Sequence, residues 1–219
     1  AEWNGSGNTI LYMAFADTRE AAFWKDVSGQ GNHWTPNNLD YRDSLIDSPA
    51  NNFATMNSID VPSTGTLSEG NLKVAGANYL RRKANWHFGA GGIQSGKWYW
   101  EICNVGSAYG TDNGVIGSLT EAGGENFLVA NKSYFRTGDI YKNYTSTSYV
   151  SSGATYTSGD VVGFALDLDS SPQTIKYYHN GTLINTDSTI SAAPVLVPFT
   201  SSTNGSWPDT YYNFGQDST

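Results

Sequence analysis

Alternation of apolar and polar residues with a period of two dominates this chain and predicts β-strands. The segment 97–103 places one apolar and one polar set on opposite faces, namely Trp98, Trp100 and Ile102 against Lys97, Tyr99 and Glu101. This alternation is typical of an antiparallel strand with one buried and one solvated face. Similar runs, bounded by Gly, Asn, Asp or Ser, predict strands at 10–15, 97–105, 114–119, 126–130, 133–136, 161–168, 174–179 and 195–199.

The segment 161–169 has a different pattern, since it is apolar at consecutive positions until Asp167. A strand apolar on both faces is expected near the centre of a sheet, with cover on both sides. Residues 174–179 follow as a return strand, and Asn180-Gly181 provides the residue pair that a tight hairpin turn requires. Helical periodicity is nearly absent, and only residues 18–23 could form a short helical turn.

Residues 26–72 are rich in Gly, Pro and Asn and show little regular pattern. Apolar residues are nevertheless spread through this segment, which argues against a free linker. They are Trp34, Leu39, Leu45, Ile46, Phe53, Met56, Ile59 and Leu67. We therefore predict an all-β protein with two parts: an N-terminal strand and irregular arm at residues 1–66 that wraps over an antiparallel β-sandwich at residues 67–219.

Composition and charge exclude several classes of protein. Charged residues make up 15% of the chain, against about 25% in a typical globular protein, so Ser, Thr, Asn and Gly must form much of the surface. The net charge of −8 would repel a nucleic acid backbone. No apolar stretch is long enough to predict insertion into a membrane. A single cysteine, Cys103, excludes an intrachain disulfide, and we interpret it as a buried thiol in a strand.

Five segments in order and spacing resemble a SPRY domain. They are residues 96–101 (GKWYWE), 159–167 (GDVVGFALD), 175–181 (IKYYHNG), the proline-bracketed 194–198, and 212–216 (YNFGQ). The resemblance covers about residues 67–217 and implies a concanavalin A-like sandwich of the SPRY or jelly-roll type. Such domains are binding modules that use loops at one end of the sandwich, so the resemblance also implies a protein without enzymatic activity.

The preceding arm resembles the segment that leads into SPRY-like domains of tail, fibre and other virion proteins of marine bacteriophages. The similar residues are 26–38 (DVSGQGNHWTPNN) and 47–57 (DSPANNFATMN). The resemblance implies an extracellular position on the virion surface, on a tail fibre or another exposed appendage, with other virion proteins as partners. It also implies that the chain is a piece of a longer protein. Phage fibres are commonly homotrimers, but no heptad or repeat in this sequence enforces one.

Carboxylate pairs are the first candidates for catalysis, because sandwiches of this type include glycoside hydrolases, which need two such groups close together. Glu101 has Tyr99 and Cys103 as neighbours on its strand face and no acidic partner there. Asp167 and Asp169 share a face, but at a strand end we expect them to bond the backbone. The sequence therefore predicts no catalytic residue and no enzyme.

Metal and cofactor sites are also not predicted. His33, His87 and His179 are far apart in sequence, so only folding could bring them together. Asp26, Ser28 and Asn32 offer oxygen ligands for calcium within a Gly-rich segment, but the pattern of an EF-hand is missing. A tight turn with Asp26 as a backbone acceptor is the favoured interpretation, and the calcium alternative stays open.

Recognition of a ligand remains, and aromatic rings in loop-like stretches are its best candidates, because sugars stack on rings while Asn and Asp bind hydroxyls. The candidate binding residues are Tyr109, Asp112, Asn113, Tyr141, Tyr144, Trp207 and Asp209. The favoured hypothesis is a receptor-binding part of a tail fibre that recognises a host cell-surface glycan or protein. The alternatives are a capsid decoration protein that contacts other virion proteins and, less favoured, a glycan-degrading enzyme.

Overall fold

The computed structural model describes residues 26, 28–35, 37, 53–59, 65–75, 81–106, 111–116, 132–141, 149–188, 190, 195–202 and 209–216. The chain divides into two compact units, Ala1–Ile46 and Asp47–Thr219. Every regular element within the described ranges is a β-strand, as predicted for an all-β protein. A search of the same residues finds no helix with the length and apolar character needed to cross a bilayer.

The second unit contains two antiparallel sheets. The first, called here the β5 sheet, has the strand order β1-β2-β14-β5-β10-β11-β12. Its strands are β1 (Thr66–Ser68), β2 (Lys73–Ala75), β5 (Lys97–Val105), β10 (Val161–Asp167), β11 (Thr174–His179), β12 (Thr182–Asp187) and β14 (Asp209–Asn213).

The second sheet, called here the β6 sheet, has the order β3-β13-β6-β7-β8-β9, and β4 also pairs with β13. Its strands are β3 (Arg81–Lys83), β4 (Phe88–Gly89), β6 (Thr111–Ile116), β7 (Lys132–Phe135), β8 (Asp139–Tyr141), β9 (Tyr149–Ser151) and β13 (Val195–Ser202). Side chains from both sheets form one main apolar cluster, so the two sheets make the predicted sandwich.

The alternation in β5 is confirmed by burial. Trp100 and Ile102 are fully buried in the core, whereas Tyr99 on the other face is 46% exposed. The Trp100 ring stacks on Phe164 at a centroid distance of 5.4 Å and lies 6.3 Å from Phe88 of the β6 sheet. Trp100 therefore joins the two sheets through aromatic contacts.

Strand β10 lies between β5 and β11, which confirms its predicted central position. Its outer face is covered at Gly163, where a Cβ atom would lie 2.6 Å from the Tyr99 hydroxyl and 3.3 Å from Tyr178 Cβ. The absence of a side chain at this position lets the Tyr99 ring lie across the strand. The predicted hairpin follows β11, with Asn180 at a φ of 48°.

Most predicted strand bounds differ from the structure by a few residues. Strands β5 and β11 match the predictions 97–105 and 174–179, and β6 begins three residues before the predicted 114. The prediction that Cys103 is a buried thiol is wrong, because Cys103 lies on the outer face of β5 and is only half-buried. The predicted strands at 10–15 and 126–130 and the helical turn at 18–23 lie outside the described residues.

Part of the predicted arm packs into the second unit. Met56 is 2% exposed, forms an antiparallel bridge with Ala84, and donates its backbone N–H to Asn71. Ala54 is also buried in the same core. Residues 54–56 therefore belong to the packing of the sandwich, while the predicted domain boundary at residues 66 and 67 stays a prediction.

Strand register defines two ends of the sandwich. Val105 of β5, Asp209 of β14 and Val161 of β10 lie at one end, where Val105 pairs with Asp209. We call it the Asp160 end, and it also carries the β11–β12 hairpin. The opposite end, here the Asp167 end, carries the connection from β10 to β11. Because loops at sandwich ends carry most binding sites, each end is considered separately below.

Candidate functional site

The Asp160 end gathers the chain connections that the sequence associates with recognition. Strand β5 ends there at Val105, and β6 begins there at Thr111, which pairs with Ser202 at the end of β13. Strand β14 then starts at Asp209, opposite Val105. The connections that contain Tyr109 and Trp207 therefore both begin and finish at this end of the sandwich.

Asp160 organises the described part of this end. Its carboxylate accepts hydrogen bonds from the Thr157 backbone N–H at 2.7 Å and from Asn180 Nδ2 at 2.8 Å. His179 Nε2 lies 3.3 Å from the same carboxylate. The Asn180 hydrogen bond, followed by the Thr157 backbone bond, lowers the pKa of Asp160. The carboxylate is therefore charged at neutral pH and fixes the segment 157–160 against the β11–β12 hairpin.

A second polar group lies at the start of β14. Lys73 Nζ is 3.0 Å from Asp209 Oδ2 and 4.9 Å from the centroid of the Tyr211 ring. A hydrogen bond with Tyr211 and another with Asp209 raise the pKa of Lys73. Asp209 is thus at the predicted end and partly exposed, but Lys73 engages its carboxylate. A ligand that used Asp209 would have to share it with this ammonium group.

Asp112 and Asn113 are not loop residues, and that prediction is wrong. Both lie in β6, paired with β13, and they are 1% and 0% exposed. The Asn113 amide donates to the Tyr156 hydroxyl at 2.9 Å and accepts a hydrogen bond from Thr200 Oγ1. Pairing on both sides of β6 and this internal hydrogen bonding hold Asn113 inside the sandwich, away from any surface ligand.

The other predicted binding residues are separated. Tyr109, Tyr144 and Trp207 lie outside the described residues. Tyr141 ends β8, whose first residue Asp139 pairs with Ser151 at the Asp160 end, so the chain runs from Tyr141 towards the Asp167 end. Its ring contacts Phe135 edge-on, with 6.2 Å between centroids. Tyr141 therefore lies within β8, opposite Ser133 of β7, and not in either of the connections that contain Tyr109 and Trp207.

The Asp167 end holds a cleft of about 350 Å³. Its walls combine apolar side chains with two amides and are formed by Phe88, Gly89, Ala90, Gln94, Leu168, Gln173, Ile190 and Leu196. Gln173 Nε2 donates to the Leu168 carbonyl at 3.1 Å, which holds one amide at the wall. The cleft could take an apolar group of modest size, but its deeper wall residues are also part of the core.

Asp167 and Asp169 have the structural roles that the sequence predicted. Asp167 accepts hydrogen bonds from the backbone N–H groups of Asp169 and Ser170 and pairs with Lys97 at 3.3 Å. These contacts, led by the Ser170 side chain, lower the pKa of Asp167 to about 2. Asp169 accepts from the Gly96 backbone at 2.7 Å. Asp167 is therefore engaged by the turn that ends β10, and Asp169 joins this turn to the residue before β5.

Glu101 lies on the outer face of the β5 sheet, and a glycoside hydrolase would need a second carboxyl group close to it. Its partners across the neighbouring strands are Gly163 and Asn213, and the Tyr99 hydroxyl donates to its Oε1 at 2.7 Å. A glycine and an amide thus occupy the adjacent positions where a second carboxylate would be needed. This arrangement does not provide a retaining pair around Glu101.

In the first unit, Asp26 forms the tight turn that the sequence favoured. Its carboxylate accepts from the backbone N–H groups of Ser28 at 2.8 Å and Asn32 at 3.0 Å, and the Ser28 bonds lower its pKa. Its backbone N–H donates to His33 Nδ1 at 3.0 Å. Across the described residues, no group of three His, Cys, Asp or Glu is arranged to hold a metal ion.

The groups that sequence reasoning missed are those made by distant segments. The Asp160, His179 and Asn180 cluster joins residues 20 positions apart, although Asn180 was recognised as a hairpin residue. Lys132 and Asp187, 55 positions apart, form a buried ion pair for which the alternation pattern gave no signal. In the sequence, the only indication of this ion pair would have been a charged residue at a strand position that is otherwise expected to be buried.

No family model and no curated protein matches this chain. Its structure resembles the SPRY domain of human HERC1 with a TM-score of 0.52 and 18% sequence identity, covering 72% of this chain and 98% of that one. A second human SPRY domain aligns with a TM-score of 0.50 and 12% identity, covering 71% and 98%. At this identity the likeness concerns the fold. The sandwich therefore has the concanavalin A-like fold of SPRY domains, as the five sequence segments predicted.

Proposed function

We propose that this chain is a non-enzymatic binding module of a bacteriophage particle. In this proposal it forms part of a tail fibre and recognises a host cell-surface glycan or protein. The observation that supports it best is the convergence of the 105–111 and 202–209 connections at the Asp160 end. These connections contain Tyr109 and Trp207, two of the predicted recognition rings.

Three further features support a binding role over catalysis. The solved structures of similar fold are SPRY domains, which the sequence resemblance identifies as binding modules. Glu101 has a glycine and an asparagine beside it instead of a second carboxylate. The Asp160 hydrogen bonds fix the segment 157–160 and the β11–β12 hairpin. A rigid border of this kind lowers the entropy cost of presenting adjacent loops to a ligand.

The position on a virion rests on the sequence. Residues 26–38 and 47–57 resemble the lead-in of phage virion proteins, and the scarcity of charged residues suits a particle surface exposed outside a cell. The −8 charge also disfavours a role in binding the phage genome. The alternative of a capsid decoration protein has the same sequence support, and the experiment below separates it from the favoured proposal.

The test uses the purified 219-residue chain, fluorescently labelled, on a panel of marine bacterial isolates and on their extracted lipopolysaccharides and capsular polysaccharides. Saturable binding to a subset of the panel is expected, with at least a tenfold loss for Trp207→Ala or Tyr109→Ala, the scale for removing an anchoring ring. Tyr141→Ala, in strand β8 and outside both connections, is the matched control and should bind like the parent chain.

Three results would contradict the proposal. If the Trp207→Ala and Tyr109→Ala variants bound as tightly as the parent chain, the Asp160 end would not be the recognition site. Failure to bind cells, combined with retention on particles stripped of fibres, would favour the decoration protein. Release of reducing ends from a host polysaccharide, abolished by Glu101→Gln, would establish the glycan-degrading alternative.

A further inference from the structure

One charged pair lies inside the sandwich and joins its two sheets. Lys132 belongs to β7 of the β6 sheet, and Asp187 ends β12 at the edge of the β5 sheet. Lys132 Nζ donates a hydrogen bond to Asp187 Oδ2 at 2.9 Å. The two side chains are 2% and 0% exposed. An amine nitrogen and a carboxyl group are therefore held in contact, away from solvent, by two different sheets.

The strands on both sides hold this pair in place. Asp187 is opposite Ile175 of β11, and Lys132 is opposite Val115 of β6, and both of these aliphatic residues are fully buried. Tyr177, two residues from Ile175 on the same face, is also fully buried. Neither partner can move far, because each is carried by a paired strand. Such fixed contact raises the effective concentration of two reacting groups by orders of magnitude.

Condensation of an amine with a carboxyl group requires the neutral forms of both groups. Transfer of one proton from the ammonium to the carboxylate makes both groups neutral. The products of this transfer are a free amine and a carboxylic acid. These are the nucleophile and the electrophile of amide formation, and water, which would reverse the reaction, is excluded from the site.

We propose that Lys132 and Asp187 condense to form an isopeptide bond that ties β7 to β12. The Nζ atom attacks Cγ, a nitrogen–carbon bond forms, and one Cγ–oxygen bond breaks. The oxygen leaves as water with two protons, one transferred earlier from the ammonium and one lost by the attacking nitrogen. The amide keeps the third proton. No atom changes its oxidation state, and no other reactant takes part.

Tyr177 is the side chain that we assign to the proton transfer in this step. It lies diagonally from Asp187 on the inner face of the β5 sheet, and its hydroxyl is buried without a hydrogen-bond partner among the described residues. Burial raises its pKa, so the hydroxyl keeps its proton at neutral pH. A protonated hydroxyl can donate to the departing oxygen and recover a proton from the attacking nitrogen.

The bond would give this sandwich a covalent link that its cysteine content cannot provide. Cys103 is the sole cysteine, so an intrachain disulfide is excluded. A Lys132–Asp187 amide closes a loop of 55 residues and restricts the unfolded chain in the way that a disulfide does. It also anchors the edge strand β12, which otherwise pairs only with β11 among the described strands.

The test is the intact mass of the purified 219-residue chain, measured under denaturing conditions after its folding has been checked by circular dichroism. The parent chain should be lighter than its sequence mass by one water. A tryptic digest should contain a branched peptide that joins the segments around Lys132 and Asp187, with no cleavage after Lys132. Lys132→Arg and Asp187→Ala should both have their full sequence masses.

A double variant, Lys132→Met with Asp187→Leu, guards against loss of folding, because an apolar pair can replace a buried ion pair without unfolding the protein. It should fold and have its full mass. At equal time after synthesis, a smaller fraction of Tyr177→Phe molecules than of parent molecules should contain the bond. An equal fraction would show that Tyr177 takes no part in the proton transfer. A folded parent chain of full mass, or a water loss that persists in Lys132→Arg, would overturn the proposal.

Discussion

The Asp160 carboxylate accepts a hydrogen bond from Asn180 Nδ2 at 2.8 Å, and this contact ties the start of β10 to the β11–β12 hairpin. Asn180 in turn accepts from the Val161 backbone N–H at 2.9 Å through its Oδ1 atom. One asparagine in a left-handed turn conformation therefore closes the hairpin and also orients the carboxylate. The border of the proposed recognition end depends on this pair.

Asp160→Asn should lower the free energy of unfolding by about 1–2 kcal/mol at pH 7, because it removes hydrogen bonds to a charged acceptor. The native pKa of Asp160 is below its ordinary value, so its contribution is complete above the unfolded pKa of about 3.9 and is lost as pH falls towards the native pKa. The difference in stability between the two proteins should therefore begin to shrink below about pH 4 and decrease further as the pH is lowered.

Asp139→Asn is the matched control for this titration. Its carboxylate accepts a bond from Thr137, two residues away, and so connects no distant segments. A small change in stability is expected for it at every pH. A constant difference between the parent chain and Asp160→Asn from pH 7 to pH 3 would show that the Asp160 charge contributes nothing.

The local alternation of apolar and polar residues was sufficient to predict the bounds of two strands. The bounds of β5 and β11 follow from Trp98, Trp100 and Ile102 and from the run that ends at His179. The start of β6 could not be predicted in this way, because Thr111-Asp112-Asn113-Gly114 has the composition of a turn. Pairing with Ser201 and Thr200 of β13, nearly 90 residues later, makes this segment a strand.

Gly114 and Gly163 differ in what an added Cβ atom would meet, which is backbone at Gly114 and the end of a side chain at Gly163. A Cβ at Gly114 would lie 2.1 Å from the Lys132 carbonyl oxygen, and this backbone atom cannot move without breaking the β6–β7 pairing. A Cβ at Gly163 would meet the Tyr99 hydroxyl, the far end of a partly exposed side chain. Gly114→Ala should therefore cost about 3 kcal/mol or more, and Gly163→Ala about 1 kcal/mol, the lower end of the range for overpacking.

Urea denaturation of the two variants measures this difference. The Tyr99 hydroxyl donates a hydrogen bond to Glu101 Oε1 at 2.7 Å. Gly163→Ala should displace the Tyr99 ring and break this bond, which would change the ultraviolet titration of Tyr99. Equal destabilisation by both substitutions would contradict the assignment of rigid backbone at one site and a movable ring at the other.

Adjacent residues of β5 should differ sharply in their effect on stability. Trp100 is fully buried against Phe164, so Trp100→Ala should lower the free energy of unfolding by about 3–5 kcal/mol. Tyr99 is 46% exposed, and Tyr99→Ala should cost about 1 kcal/mol or less. Chemical denaturation of the two variants checks this, and a larger cost for Tyr99→Ala would mean that the inner and outer faces of β5 are reversed.

The candidate site was harder to predict than the fold, because its groups come from separate strands. Asp209 begins the last strand at the Asp160 end, whereas Tyr141 lies within β8, a strand position that its loop-like sequence surroundings did not indicate. Hairpin spacing identified Asn180, but its bond to Asp160 depends on β10 and β11 being neighbours. Sequence spacing alone does not contain that adjacency.

Cys103 should react slowly in the native protein. Burial, followed by the negative charge of Asp160, raises the pKa of its thiol, and the thiolate is the form that reacts. Alkylation by iodoacetamide at pH 8 should therefore be slower in the native chain than in the same chain unfolded in urea. Asp160→Asn removes the second cause and should increase the native rate modestly, whereas Asp139→Asn should leave it unchanged. A native rate above the unfolded rate would contradict this environment for the thiol, as would a rate that fell in Asp160→Asn.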